Sequence, residues 1–112
     1  MKINNFEFAK KGIKYEVIKV IIMKKLLEKY KDKKYWVEIH PELEYEEGLV
    51  SSIYVIDMKE KKEVIYHLSN SDLNVEKGYE KFIKDGGILI KINIKKLSDN
   101  IKEIEKELEE LI

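Results

Sequence analysis

The 112-residue chain contains no cysteine, arginine, glutamine or threonine. Without cysteine there is no disulfide frame, no thiolate metal site and no thiol nucleophile. Without arginine the chain lacks the side chain best suited to bidentate reading of phosphate and guanine; its 22 basic residues are all lysines, which neutralise phosphate as point charges. An excess charge of either sign is also missing, since 22 acidic residues balance the lysines. No net field therefore draws the domain to nucleic acid or to an anionic membrane. Long apolar runs are absent too. Val20 to Met23 is far too short to cross a bilayer, and no secretory pattern precedes it, so the expected compartment is the cytoplasm and no membrane partner is expected. Glycine-rich phosphate loops, nucleophile elbows and zinc-ligand spacings are likewise missing.

What is present is a composition of 44% hydrophobic and 39% charged residues, dominated by Lys, Glu and Ile. It belongs to a folded globular class. The length predicts one domain over residues 1–112, large enough for a single core. The Lys/Glu/Ile bias fits a thermophile, in which ion-pair networks are favoured; it fits an AT-rich coding sequence equally well.

The pattern predicts seven elements. Residues 13–30 read as a helix in which Glu16, Val20, Met23 and Leu27 fall on one face, with Ile18, Ile22 and Leu26 widening the apolar surface. Such a helix is expected to be well covered, with Glu16 buried and paired to Lys19 or Lys91. Residues 35–40 alternate as a strand, Tyr35, Val37 and Ile39 on one face and Trp36, Glu38 and His40 on the other. The acidic segment from Pro41 to Gly48 reads as a loop. Residues 52–58 and 63–69 form a β-hairpin joined by Lys59-Glu60-Lys61-Lys62. Asp72 or Asn74 can cap a helix reaching about Lys84, which Asp85-Gly86-Gly87 stops. Ile88 to Ile94 is a strand with one apolar face. Asn100 and Glu103 form a capping box ahead of a last helix carrying Ile101, Ile104, Leu108 and Leu111. The order α-β-β-β-α-β-α predicts an α/β domain with a single mixed sheet flanked by helices. A right-handed crossover should join the hairpin to the strand at 88–94.

This order resembles the restriction-endonuclease-like fold of the PD-(D/E)XK superfamily, whose small members include archaeal Holliday junction resolvases. The resemblance runs over about residues 12–112. It implies a metal site built from three places. The helical Glu of the family corresponds to Glu16. The Pro-Asp pair that opens its second strand corresponds to Ser51-Ser52, and the Glu-X-Lys that ends the next strand to His67-Leu68-Ser69. Positions 52 and 67 therefore fall where carboxylates would stand, and Ser69 where the lysine would.

Mg²⁺ requires oxygen donors, chiefly carboxylates, and in this superfamily it activates water and neutralises charge at the scissile phosphate. Two hydroxyls and an imidazole do not replace that set. The resemblance thus implies a degenerate relative that is not an enzyme. Such a relative would serve as an interaction module, as a homodimer or as the inactive subunit of a nucleic-acid-processing complex, with no cofactor. Exposed parts of Trp36, Tyr54 and the last helix would form the contact with a protein partner or a second copy. The first alternative is a DNA-binding protein without cleavage, tracking phosphates through lysine clusters such as Lys10-Lys11 and Lys33-Lys34. The second is a Mg²⁺- or Mn²⁺-dependent nuclease with a rearranged site of Glu16, His67 and Asp57. Against it, His67 reads more simply as a strand-end histidine, and Asp57 as a hairpin-end residue.

Overall fold

A computed structural model describes residues 11–45, 48–70 and 76–112 of the chain. Helix α1 (Lys11–Lys29) leads through a turn to strand β1 (Tyr35–Ile39), followed by β2 (Leu43–Tyr45), β3 (Gly48–Asp57) and β4 (Lys62–Ser69). A 3₁₀ turn (Glu76–Tyr79) enters the short helix α2 (Glu80–Lys84), and β5 (Ile88–Asn93), a second 3₁₀ turn (Ile94–Lys96) and α3 (Ile101–Leu111) complete the fold. The domain is mixed α/β, with one open sheet of five strands flanked by helices.

β3 is central. It pairs antiparallel with β4 along one side and with both β1 and β2 along the other, while β5 joins β4 in parallel. The acidic segment expected to be a loop contains β2. Ile39 opposes Ile53 and His40 donates its N–H to Ser52 O, yet Leu43 opposes Val50. Pro41 and Glu42 therefore stand opposite the single residue Ser51, a bulge on an edge strand. Proline is tolerated there because it has no N–H to give to a ladder.

The two faces of the sheet differ. Ser51, Ile53 and Val55 alternate with Ser52, Tyr54 and Ile56, and the first set is buried under α1 and α3. This face holds the core: Tyr15, Ile18, Ile22 and Leu26 of α1, Tyr66 and Leu68 of β4, Ile92 of β5, and Ile104 and Leu108 of α3. The buried stripe of α1 is thus the Tyr15-Ile18-Ile22-Leu26 one. The Glu16-Val20-Met23-Leu27 stripe expected to be covered instead turns outward, with Val20 48% and Leu27 49% exposed. Two apolar stripes share this helix, and periodicity alone does not choose between them. A buried Tyr15–Ser51 hydrogen bond of 2.6 Å fixes the chosen face against β3.

Local chemistry accounts for the element ends. Asp57 Oδ1 accepts the backbone N–H of Lys59 and Glu60, and Lys61 takes a left-handed φ of 58° to close the hairpin. The Asn100 side chain accepts from the N–H groups of Lys102 and Glu103, capping α3 as its sequence predicts. Lys14 clamps the start of α1 to Leu97 O at 2.7 Å and to Asp99 at 2.9 Å. α2 is far shorter than the helix expected over 72–84, because Glu76–Tyr79 is a 3₁₀ turn around Gly78; the caps at Asp72 or Asn74 lie outside the described residues. Gly87 is required by close approach, since a Cβ there would sit 2.4 Å from the Phe82 ring.

Candidate functional site

The hairpin brings together Ser52, His67 and Ser69 of the residues singled out in the sequence. Ser52 stands directly across from His67, and Val50 directly across from Ser69. Ser52, His67 and Ser69 therefore lie on one face of the sheet, the face turned away from α1. The 3₁₀ turn and α2 flank it, with Tyr79 OH 3.1 Å from His67 Nδ1 and the Phe82 ring edge-on to Tyr54. Ser52 Oγ is 3.1 Å from His40 Nδ1, so both histidines touch this patch. Ser51, the other half of the Ser-Ser pair, points to the opposite face and bonds Tyr15.

Glu16 is not part of this cluster. It sits on α1, across the sheet from Ser52 and His67. Its side chain is 52% exposed rather than buried, and it pairs with Lys19 at 3.1 Å. Lys19, one of the two partners expected for it, also holds Glu42 at 2.7 Å. The bulge at Pro41 turns Glu42 toward α1 and makes that second contact. Hydrogen bonding to Lys19 holds the Glu42 carboxyl below its ordinary value, and Glu42 raises the Lys19 ammonium in return. Asp57 is the hairpin-end residue anticipated from its position. Its two backbone N–H bonds keep its carboxyl low and occupy it.

His67 is the most buried polar group of the patch, 5% exposed. Its Nε2 is buried without a hydrogen-bond partner. Burial, reinforced by the nearby Lys91 ammonium, lowers its pKa and keeps the ring neutral. Lys91 stands in register with His67 across the parallel β4–β5 pair. Lys91 and Tyr79 thus complete the surroundings of His67; Lys91, expected as a partner of Glu16, stands beside His67 instead, and Tyr79 was not singled out as a site residue. The alternation of Lys91 with Ile90 and Ile92 signals its face, but nothing local signals its strand partner.

These donors do not suit Mg²⁺ or Mn²⁺. Two hydroxyls and one imidazole beside an ammonium offer no anionic oxygen to a hard dication. Among the described residues no group of three or more His, Asp or Glu could hold a metal ion. The arrangement supports hydrogen bonding and packing around His67.

The remaining candidates separate by exposure. Trp36 on β1 is 54% exposed. Tyr54 is half-buried; its hydroxyl donates to Glu63, which pushes its pKa up to about 12. The last helix spends Ile104 and Leu108 on the core, leaving Leu111 as its exposed large apolar residue. Lys33 is exposed, whereas Lys34 lies over the Tyr35 ring and 3.9 Å from Asp57. Lys10 lies outside the described residues, as does the side chain of Lys11. The backbone of Lys11 begins α1 and Lys33-Lys34 follow its end, about 27 Å of helix away.

No family model matches the sequence, and no curated protein or solved structure matches it either. No described helix is long and apolar enough to cross a membrane.

Proposed function

We propose that this domain is a non-catalytic interaction module on a restriction-endonuclease-like scaffold, a PD-(D/E)XK relative whose metal ligands are gone. One observation carries the reading. The hairpin face where that superfamily would present carboxylates presents Ser52, Ser69 and His67 beside Lys91; Glu16, across the sheet from them, does not stand where the resemblance puts its helical Glu and counts against that correspondence. An inactive subunit of a nucleic-acid-processing complex is the setting that the resemblance implies, and a protein partner or a second copy is the expected contact. The DNA-binding alternative is less well supported, because Lys11 begins α1 and Lys33-Lys34 follow its other end.

The test is cleavage of duplex and four-way-junction DNA with Mg²⁺ or Mn²⁺, wild type beside Glu16→Ala. The expected result is the same buffer-level background in both. Metal-dependent cleavage by the wild type that Glu16→Ala abolishes would overturn the reading and restore a rearranged nuclease site.

A further inference from the structure

The exposed apolar surface concentrates at one edge of the sheet. β1 is the terminal strand of the order β1-β3-β4-β5, and its outer side is unpaired among the described residues. Its ladder fixes which backbone groups point outward. Lys34 O accepts from Met58 N–H and His40 N–H donates to Ser52 O, so the even-numbered residues face β3. Val37 and Ile39 therefore turn both N–H and C=O outward, and Tyr35 its C=O, its N–H being bonded to Asp32 O.

This edge is five residues long and ends at the Pro41 bulge, but among the described residues nothing covers its outer side. Ile39 is 50% exposed, and a shallow groove lined by Met23, Leu27, Val37 and Ile39 joins it to the outward stripe of α1. The charge along the edge is directional. Lys31, Lys33 and Lys34, with Asp32 among them, precede the strand, whereas Glu38, Glu42 and Glu44 occupy or follow it; Lys31, Lys34 and Glu42 already pair within the subunit with Glu28, Asp57 and Lys19, so Lys33, Glu38 and Glu44 carry the complementarity. An edge that is basic at its start and acidic at its end complements itself when a second copy runs antiparallel, and repels itself when it runs parallel.

We infer that β1 is the seat of a two-fold symmetric homodimer, in which a second copy of this chain adds its own β1 antiparallel about an axis through Val37. Resting on the interaction-module reading, the inference supplies its partner. About that axis Val37 exchanges both backbone bonds with the partner's Val37, and Ile39 N–H donates to the partner's Tyr35 C=O. The two outward N–H groups then both have mates in one register, while the Ile39 C=O is left to solvent because the Tyr35 N–H is already bonded to Asp32 O. On one face the Val20-Met23-Leu27 stripes of the two α1 helices approach each other; on the other, Trp36 stands opposite the partner's Glu38. The lysine end of each strand meets the glutamate end of the other. A five-residue ladder alone is a small contact, so the helix stripes supply the apolar area that a stable dimer needs. The interface is isologous and closes, leaving no free β1 edge.

Sedimentation equilibrium of the full chain tests this. The wild type is expected to form a dimer at micromolar concentration. Ile39→Asp, at an exposed position, is expected to raise the dissociation constant about tenfold or more, with far-UV circular dichroism and cooperative melting retained. Because the chain has no native cysteine, Val37→Cys should form an intermolecular disulfide on mild oxidation, whereas Met58→Cys, beyond the strand in the hairpin turn, should not. A wild type that stays monomeric at high micromolar concentration would overturn the inference. So would a dimer that Ile39→Asp leaves unchanged and Val37→Cys fails to cross-link. The cleavage assay fails or succeeds independently of all these results, so loss of the dimer and loss of the non-catalytic reading are told apart.

Discussion

His67 has little to bond with in its buried position, and that makes it the residue whose chemistry the fold changes most. One ring nitrogen meets Tyr79 and the other meets no polar atom. Burial, with Lys91 adding repulsion, sets its folded pKa below the unfolded value of about 6.5. Between those two values the unfolded chain binds more protons than the folded one, so stability falls as pH drops through about 6.5 and is restored as pH rises above it. The lowered carboxyls of Asp57 and Glu42 contribute at more acid pH, nearer 4. His67→Leu removes the titration and the unpartnered nitrogen together. Urea midpoints measured between about pH 7 and pH 5 should slope less in the variant than in the wild type. Parallel slopes would show that other groups drive the acid sensitivity.

Among the elements, α1 tests the packing most directly. Ile22 is fully buried in the core, whereas Leu27 is 49% exposed. Ile22→Ala should cost about 2–5 kcal/mol through lost burial and a residual cavity. Leu27→Ala should cost under about 1 kcal/mol when chemical unfolding is followed at low protein concentration, where self-association contributes nothing. Equal costs would mean that the helix is rotated about its axis. The sequence made the presence of this helix plain but not its orientation, because tertiary contact of Tyr15 with Ser51, not periodicity, selects the face. The hairpin's turn and β4 were legible to within a residue, since alternation and a polar turn are both local signals, whereas β3 begins at Gly48, well before the expected start at Ser52. β2 escaped notice because three residues following Pro41 carry no periodic signal. The 3₁₀ turn shortened α2 for the same kind of reason: Gly78 weakens helical propensity, and the contacts of Tyr79 with His67 and of Phe82 with Gly87 hold the segment instead.

At the scale of the whole molecule, element order predicted the sheet but not which side of it each candidate residue would occupy. Glu16 and the Ser52–His67 pair came from separate local patterns, and only the packing of α1 on the Ser51 face places a sheet between them. Charge behaves in a related way: composition gives its amount, and the fold gives its arrangement. Lys19 joins Glu16 and Glu42, whereas the Lys14–Asp99, Lys31–Glu28, Lys34–Asp57 and Lys62–Glu60 pairs share no residue, and most of these charges are exposed. Isolated exposed pairs contribute about 0–1 kcal/mol each, and a chain of zero net charge has no overall repulsion for salt to relieve. Folding of the isolated subunit should therefore respond weakly to ionic strength. From about 0.05 to 0.5 M NaCl, its unfolding free energy at low protein concentration should change by no more than about 1 kcal/mol. The proposed dimer joins opposite charges across two copies, so its dissociation constant should rise over the same range. Salt thus separates the two equilibria. Folding that loses several kcal/mol would mean that the lysines and glutamates act as a connected network within the subunit, and the excess charge at the β1 edge would then belong to the fold rather than to a partner.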